Sequence, residues 1–329
     1  MLNINDISVY DYINSINEDN FDEIALQVYN LQISKNKLYG DYTDLVNAKV
    51  SKIEDVPFLP ISFFKTHHVC LEGYNNFVRV FESSGTTNQA LKSKHFISNT
   101  DIYNASSLKG FTYFFGDPKE YVFLALLPSY LERGNSSLVY MVNMLMQSSN
   151  QEEGGFYLNE YEKLASILQQ LAKERKKVIL FGVTFALLDF ATTYPFHMDN
   201  VIVIETGGMK GRGKELTREE VHQQLTTSWG IDSVHSEYGM TELLSQAYSK
   251  GNGIYKPSKT MKVLVRDIND PLVNHTDGVG ILNIIDLANL YSCSFIETED
   301  IGKVYADGSF EVLGRLDNTA LRGCSLMAV

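Results

Sequence analysis

The chain has 329 residues, of which 44% are hydrophobic and 21% charged, and its formal net charge is −12. These values are typical of a globular enzyme with a sizeable core, and the acidic balance argues against nucleic acid as a partner. Three cysteines, Cys70, Cys293 and Cys324, form no C-x-x-C pair, which argues against a disulfide framework or a zinc site.

The first part of the chain is predicted to alternate helices and strands. The first 50 residues have helical patterns, with a start signal at Asn20 and Glu23. The later elements, in chain order, are a strand over Tyr121–Leu127, helices over Ser136–Met146 and Tyr161–Lys176, strands over Val178–Phe181 and Val201–Ile204, and a helix with a capping box at Thr217 and Glu220. This alternation indicates a mostly parallel sheet flanked by helices.

After residue 255 the pattern changes to short strands separated by Gly, Asn or Asp turns. The predicted strands are Met261–Arg266, Gly280–Ile285, Ser294–Glu297, Gly302–Tyr305 and Phe310–Leu313. We therefore expect an α/β body over residues 1–255 and a small antiparallel β subdomain with a tail over residues 256–329. Because no linker composition separates them, we expect one compact unit.

Residues 81–95 form the first candidate site, because a strand end is followed by hydroxyl residues around a glycine. The backbone N–H groups and hydroxyls of residues 83–87 are suited to wrap a polyphosphate, and Lys92 and Lys94 add positive charge. The spacing is not that of a Walker A loop, since Ala90 stands where the second glycine belongs. The alternative is an ordinary polar turn.

A second candidate segment reads Tyr-Gly-Met-Thr-Glu at residues 238–242 and is expected to lead into a helix with Leu243, Leu244 and Ala247. The Tyr238 ring can stack on a purine, the Thr241 hydroxyl can bind a phosphate, and the Glu242 carboxylate can hold Mg²⁺. The alternative is that Tyr238 is a core residue and Glu242 a solvated acid in the first helical turn.

Two further segments follow. Asp300, which we expect before a tight turn, suits the paired hydroxyls of a ribose, although Asp before Gly is common in turns. Arg315 is a candidate for a second ribose or phosphate contact, and its alternative is a surface salt bridge.

In this order and spacing the four segments resemble the ANL superfamily of adenylate-forming enzymes. Three further stretches, residues 57–65, 93–95 and 322–327, resemble the LuxE-like acyl-protein synthetases, the fatty acid-activating members of fatty acid reductase systems. The resemblance implies a large ANL-type α/β N-terminal domain, with mostly parallel sheets flanked by helices and a small antiparallel β subdomain at its end. It also implies that the usual small C-terminal domain, which carries a catalytic lysine, is lacking.

The resemblance implies a site for ATP and Mg²⁺. Its members are Ser83, Ser84, Gly85, Thr86 and Thr87 for the phosphates, Tyr238 with Gly207 and Gly208 for adenine, Asp300 with Arg315 for the ribose, Thr241 for the α-phosphate, and Glu242 for Mg²⁺. Asn88 stands where many members have a glycine, and Asn tolerates left-handed backbone better than most residues. In place of the absent lysine the sequence offers Lys92, Lys94, Lys210 and Arg212, and we count Lys94 among the catalytic residues.

The implied reaction is that of an AMP-forming acid–thiol ligase. A fatty acid carboxylate attacks the α-phosphate of ATP, and Cys324 then accepts the acyl group as a thioester for delivery to a partner such as an acyl reductase. Cys324 suits this role because it lies near the C-terminus beside Arg322, whereas Cys293 is expected to be a buried structural residue.

Two alternatives remain open. The first is adenylation with transfer to coenzyme A or a carrier protein, in which case Cys324→Ala leaves the enzyme intact. The second is a non-catalytic nucleotide- or acyl-binding subunit. The N-terminus has no signal-peptide pattern and no apolar run is long enough to span a bilayer, so we expect a cytoplasmic protein.

Overall fold

A computed structural model describes residues 8–84, 92–128, 133–207, 216–267 and 270–316. Within these ranges the helices are α1 (Val9–Ser15), α2 (Phe21–Lys35), α3 (Lys37–Val46), α4 (Phe63–Thr66), α5 (Asp101–Phe115), α6 (Ser137–Ser149), α7 (Tyr161–Lys173), α8 (Thr184–Thr193) and α9 (Arg218–Trp229). The strands are β1 (Leu59–Pro60), β2 (Arg79–Glu82), β3 (Lys94–Ile97), β4 (Tyr121–Leu126), β5 (Gly155–Phe156), β6 (Lys177–Val183), β7 (Val201–Thr206), β8 (His235–Tyr238), β9 (Ala247–Ser249), β10 (Lys256–Pro257), β11 (Met261–Arg266), β12 (Asn274–His275), β13 (Gly278–Asp286), β14 (Phe295–Val304) and β15 (Phe310–Arg315).

The first layer is a seven-stranded sheet in the order β10-β9-β8-β7-β6-β4-β5. Strands β5, β4, β6, β7 and β8 pair in parallel, and β9 and β10 add an antiparallel edge. The central strands are continuous apolar runs that are almost entirely buried, as is usual where helices cover both faces of a sheet. The predicted parallel sheet is therefore confirmed.

The helix boundaries follow local capping chemistry. The Thr217 hydroxyl accepts a hydrogen bond from the Glu220 N–H, and the Glu220 carboxylate accepts one from the Thr217 N–H, so the predicted capping box begins α9. Ser136 caps α6 through the Val139 N–H. The apolar residues of α7 face the core at the predicted helical spacing, but the helix ends at Lys173, before the predicted Lys176.

The second layer is a mostly antiparallel sheet in the order β1-β14-β13-β11-β12, with β15 paired to β14. Phe295–Val304 is one continuous strand where the sequence predicted two, and the register between β14 and β15 shifts at Ile301 and Gly302. Asp300 therefore lies within a strand beside a bulge, so the predicted tight turn is wrong. The short strand β1 joins this sheet in parallel with β14.

The N-terminal helices pack on this second sheet through long-range hydrogen bonds. The Tyr12 hydroxyl donates to the Leu287 carbonyl, and the Gln32 amide donates to the Asn289 and Leu290 carbonyls. Tyr12 and Gln32 are fully or almost fully buried. Buried hydrogen bonds thus join the N-terminal helices to the segment that connects β13 and β14.

The predicted helix after Glu242 is wrong. Residues 241–246 form turns and bends, and Ala247 begins strand β9, where it pairs with Tyr238. Asp286 supplies the reason, because its buried carboxylate accepts hydrogen bonds from the Leu244 and Ser245 backbone N–H groups at 2.7 and 3.0 Å. A distant acceptor thereby replaces the carbonyls that a helix would have provided.

In the part of the chain that the structure describes, no helix combines the length and apolar character needed to cross a membrane.

Candidate adenylate-forming site

A cavity of about 900 Å³ opens at the carboxyl ends of the parallel strands β6, β7 and β8, facing β14 and β15 of the second sheet. This edge of a parallel sheet is where α/β proteins place their ligands. The predicted site residues that line the cavity are Ser83, Ser84, Gly207, Tyr238, Thr241, Glu242, Asp300 and Arg315. The predicted residues Gly85, Thr86, Thr87, Gly208 and Cys324 lie outside the described residues.

The predicted nucleoside end of the site is built by Tyr238 and Asp300. The Tyr238 hydroxyl donates a hydrogen bond of 2.8 Å to Asp300 Oδ2, and the Tyr238 ring packs 5.3 Å from the ring of Phe310. Burial raises the pKa of Asp300, while the Tyr238 hydrogen bond and the charge of Arg315 act in the opposite direction. Arg315 Nη2 donates a hydrogen bond of 3.2 Å to Glu299 Oε2. Its Nε lies 3.9 Å from Asp300 Oδ1, so Arg315 is close to the Asp300 carboxylate without a direct hydrogen bond to it.

The predicted phosphate end joins β2 and β3. Ser83 and Ser93 bind each other, since the Ser83 N–H donates to the Ser93 carbonyl at 3.0 Å and the Ser93 N–H donates to the Ser83 hydroxyl at 3.1 Å. Glu242 is 5% exposed, and burial raises the pKa of its carboxyl against a hydrogen bond from Ser93 and the charges of Arg315 and Lys65. Glu242 is therefore not the solvated surface acid of the alternative interpretation.

His95, to which the sequence analysis assigned no role, is a buried residue that contacts the Thr241 segment of the site. Its Nδ1 lies 3.0 Å from the Thr241 carbonyl and its Nε2 lies 3.0 Å from the Ser292 hydroxyl. Burial lowers the pKa of His95 to about 4, so the ring is neutral at physiological pH. A neutral ring accepts at one nitrogen and donates at the other, which suits a backbone carbonyl and a hydroxyl. His95 thereby ties β3 to the Thr241 segment.

Two buried acids on adjacent strands also line the cavity, and the sequence analysis missed both. Burial favours a higher pKa for Glu205, but hydrogen bonds with His222, Thr184 and Ser236 bring that pKa below its usual value. Burial raises the pKa of Glu237 to about 7, against a single opposing hydrogen bond from Thr206. The sequence indicated a role for Glu237 only through its position directly before Tyr238.

Apart from Arg315, the cations that line the cavity differ from those that the sequence suggested. Lys65 and Arg218 line the cavity, whereas Lys94 is exposed and is not among the lining residues. Lys92 lies 3.9 Å from the Glu82 carboxylate. The other two candidates, Lys210 and Arg212, lie outside the described residues. The role of Lys94 stays a prediction.

The donor set fits a nucleotide with a divalent cation. Serine and threonine hydroxyls stand beside the buried Glu242 carboxylate, and oxygen ligands shared with phosphates are what Mg²⁺ prefers. Among the described residues no three His, Cys, Asp or Glu side chains group into a metal cluster. Glu242 would therefore hold the ion together with phosphate oxygens.

Several adenylate-forming enzymes have a similar structure. The structure of 2-hydroxyisobutyryl-CoA ligase with 2-HIB-AMP and CoA matches with a TM-score of 0.66, 13% identity, and coverage of 90% of this chain and 68% of that one. O-succinylbenzoate coenzyme A synthetase from Bacillus subtilis, in complex with ATP and magnesium ion, matches with a TM-score of 0.50, 15% identity, and coverage of 72% and 49%. This chain thus spans about half the length of the latter enzyme.

At these identities the likeness shows the fold, which is that of the ANL adenylate-forming enzymes. A comparison with curated proteins found no match. The protein-family model described as "Acyl-protein synthetase, LuxE" matches residues 133–328. This match includes more than half of the chain, together with the Tyr238, Asp300 and Arg315 segments. The chain therefore belongs to the LuxE acyl-protein synthetase family.

Proposed function

We propose that this protein activates a carboxylic acid with ATP and Mg²⁺ to an acyl-adenylate. The observation that carries the proposal is that the described residues predicted for phosphate, adenine, ribose and metal, with Lys92 and Lys94 as the exceptions, line one cavity. These residues come from distant segments of the chain, since Ser83 and Arg315 are 232 positions apart in sequence. Family membership and the adenylate-forming fold support the same reaction.

The chemistry of the first step suits the phosphate end of the cavity. A carboxylate oxygen of the acid bonds to the α-phosphorus of ATP, the bond from that phosphorus to the bridging oxygen breaks, and pyrophosphate leaves. Negative charge builds on the phosphate oxygens, so fixed hydroxyls and cations are the natural catalysts. Ser83, Thr241 and Lys65, which line the cavity, are the side chains that we propose to act there.

Glu242 is the proposed ligand of Mg²⁺, which when bound neutralises phosphate charge. A hydrogen bond from Ser93 and the charges of Arg315 and Lys65 favour the ionised form of its carboxyl group, against the effect of burial. At the other end of the cavity, Asp300 would bind the ribose hydroxyls with the oxygen that Tyr238 does not occupy. The Tyr238 ring would form the wall beside adenine.

For the second step we propose Cys324 as the acceptor. Its thiolate attacks the acyl carbon, AMP leaves with the electron pair of the broken bond, and a thioester remains for a partner such as an acyl reductase. The two described cysteines suit this step poorly, because burial raises the pKa of Cys293 to about 12 and also raises the pKa of Cys70. Fatty acids are the substrates that the family resemblance implies.

The test is intact-protein mass spectrometry after incubation with ATP, Mg²⁺ and a mixture of carboxylic acids, with pyrophosphate release measured in parallel. We expect a hydroxylamine-sensitive acyl adduct that maps to Cys324 and is absent from Cys324→Ala. Cys70→Ala is the matched control and should retain the adduct. Pyrophosphate release without an adduct would indicate that coenzyme A or a carrier protein, and not Cys324, accepts the acyl group. ATP binding without pyrophosphate release from any acid would contradict adenylation.

A further inference from the structure

Strand β3 and the residue before it present a buried face to residues 241–242 of the candidate site. Ser93 and His95 are 3% and 0% exposed, whereas Lys94 between them is exposed. Because side chains alternate along a strand, the two buried residues lie on one face and Lys94 lies on the other. This buried face therefore contacts the part of the site where the phosphates and Mg²⁺ are proposed to bind.

The His95 ring makes one hydrogen bond at each of its nitrogens. Nδ1 lies 3.0 Å from the Thr241 carbonyl oxygen, and Nε2 lies 3.0 Å from the Ser292 hydroxyl. A carbonyl oxygen can only accept, so in the neutral ring Nδ1 carries the proton and Nε2 accepts from Ser292. The Phe64 ring packs edge-on against the imidazole, with 5.4 Å between the ring centroids. Three contacts thus fix the orientation of the His95 ring.

Two consecutive backbone carbonyls of this segment are each held by a buried side chain. The Thr241 carbonyl accepts from His95, and the Glu242 carbonyl accepts from the Asn289 amide at 2.7 Å. Both donors are fully buried. Because the backbone is held at both carbonyls, these two bonds determine the directions in which the Thr241 hydroxyl and the Glu242 carboxylate can point.

Ser93 provides a second link from the same face of β3. Its side chain donates a hydrogen bond to the Glu242 carboxyl group. Its N–H donates to the Ser83 hydroxyl at 3.1 Å, and its carbonyl accepts from the Ser83 N–H at 3.0 Å. Ser83 is the first residue of the segment predicted to bind the phosphates. One strand therefore joins a proposed phosphate ligand to the proposed metal ligand.

The length of the side chain at position 95 decides whether the Thr241 carbonyl is held. The amide nitrogen of asparagine is as many bonds from Cβ as histidine Nδ1, and that of glutamine is as many bonds from Cβ as histidine Nε2. Asparagine can therefore donate to the Thr241 carbonyl, whereas glutamine extends past it toward Ser292. A buried carbonyl without a donor is unfavourable, so loss of this bond is expected to shift the segment.

We propose that His95 is a positioning residue for adenylation, which through the Thr241 carbonyl directs the Thr241 hydroxyl to the α-phosphate and the Glu242 carboxylate to Mg²⁺. This inference rests on the proposed reaction and adds a residue that is not among those that line the cavity. A displacement of about 1 Å in a group that acts on the reacting atoms can cost about 100-fold in rate. The effect should therefore fall on kcat more than on the affinity for ATP.

Three variants separate this link from the other contacts of His95. His95→Gln removes the donor to the Thr241 carbonyl, whereas His95→Asn keeps that donor and loses the contact with Ser292. Ser292→Ala removes the same contact from the other side and is the matched control, since Ser292 is also buried and does not line the cavity. All three variants are expected to be less stable than the wild type. Their thermal midpoints are measured first, and activities are compared well below the lowest midpoint.

Pyrophosphate release is then measured for each protein as a function of ATP and Mg²⁺ concentration. We expect His95→Gln to lower kcat by about 10- to 100-fold and to raise the Mg²⁺ concentration that gives half the maximal rate. His95→Asn and Ser292→Ala should retain most of the wild-type kcat and Mg²⁺ dependence despite their lower stability. A merely structural role for His95 would instead make activity follow the thermal midpoint in all three variants.

Calorimetric titration with ATP and Mg²⁺ in the absence of any acid gives a readout that does not depend on the reaction. Weaker Mg²⁺-dependent ATP binding in His95→Gln than in His95→Asn would support the inference even if no acid yielded pyrophosphate, a result that would overturn the proposed adenylation alone. Wild-type kcat and Mg²⁺ dependence in a folded His95→Gln variant, or equal losses in His95→Gln and His95→Asn, would overturn the inference and leave the proposed adenylation in place.

Discussion

His95 is a buried titratable side chain whose folded-state pKa, about 4, lies below its usual value of 6.5. At a pH between these two values, the His95 ring is protonated in the unfolded chain but neutral in the folded protein. Stability from this group is therefore complete above pH 6.5 and is lost as the pH falls to about 4. The expected loss is about 3 kcal/mol in the free energy of unfolding.

Urea unfolding of the wild type and of His95→Gln between pH 4 and pH 7 measures this effect. The variant is expected to have a shallower dependence on pH, because glutamine does not titrate. The exposed His275→Gln variant is the matched control. Equal pH dependence in all three proteins would contradict the assignment.

Glu242 provides a prediction in which activity and stability separate. Glu242→Gln is expected to lower Mg²⁺-dependent pyrophosphate release by at least about 100-fold, because a neutral amide is a poor ligand for a hard cation. The thermal midpoint should not fall, since the variant removes a carboxyl group whose pKa burial already raises. Wild-type rates and Mg²⁺ dependence in the variant would remove Glu242 from the metal site.

Lys65 is the cation that we expect to act on the phosphates. It lines the cavity and its charge reaches Glu242. Lys65→Gln should lower kcat for pyrophosphate release by about tenfold or more while ATP binding changes less, because the charge acts on the transition state. Lys163→Gln removes an exposed lysine that pairs with Glu160 and serves as control. A change confined to KM would instead make Lys65 a simple binding residue.

The sequence could predict those site residues that belong to short motifs of characteristic composition, such as Ser83 and Tyr238. It could not predict His95, Glu237 or Lys65. A histidine or an acid has many roles, and only the fold decides whether it is buried beside a ligand cavity. The partner of His95, the Thr241 carbonyl, lies 146 positions away in sequence.

Asp286 holds the segment between β8 and β9 in its non-helical form. Besides the Leu244 and Ser245 N–H groups, its carboxylate accepts hydrogen bonds from the Ser245 hydroxyl at 2.6 Å and the Ala288 N–H at 3.0 Å. Asp286→Ala is expected to lower the free energy of unfolding by about 3 kcal/mol, because buried donors lose their acceptor.

Urea unfolding of Asp286→Ala checks this value, with the exposed Asp189→Ala as control. Pyrophosphate release should also fall, since the same segment carries Thr241 and Glu242. A stability loss equal to that of Asp189→Ala would show that the four hydrogen bonds contribute little.

Strands of the parallel sheet were predictable because a strand buried on both faces is an uninterrupted apolar run, as in Tyr121–Leu126. The segment after Glu242 has helical spacing of Leu243, Leu244 and Ala247, and this local signal lost to Asp286, which is 42 positions from Leu244. The continuous strand β14 was divided in the prediction because the polar residues around Asp300 resemble a turn. Local pattern carries no information on such distant partners.

The two sheets are expected to unfold together. Gln32 of α2 donates to carbonyls beside the second sheet and accepts a hydrogen bond from the Ser294 N–H at 2.9 Å. Trp229, the only tryptophan, is buried on α9 against Phe190 of α8, the helix that packs on β6 and β7, and it therefore reports on the first layer. Because the buried contacts are continuous, we predict one transition in Trp229 fluorescence and far-ultraviolet circular dichroism.

Gln32→Ala should lower the Trp229 midpoint through a contact in the opposite layer, at a cost of about 2 kcal/mol. The control is Gln27→Ala on the same helix, because Gln27 is only half-buried and its amide donates to the exposed Glu23 side chain. Two separate transitions, or a Trp229 midpoint insensitive to Gln32→Ala, would instead favour independent units on either side of residue 255.

Alternation along β8 has a consequence for how the family can diversify. Tyr238 faces Asp300, whereas Glu237, the residue before it, faces Thr206 on the opposite side of the strand. A substitution at position 237 can then change the second face while the proposed nucleotide contacts of Tyr238 stay intact. A one-residue slip of the strand would exchange the two faces and remove those contacts, so family members should vary by substitution here and not by insertion or deletion.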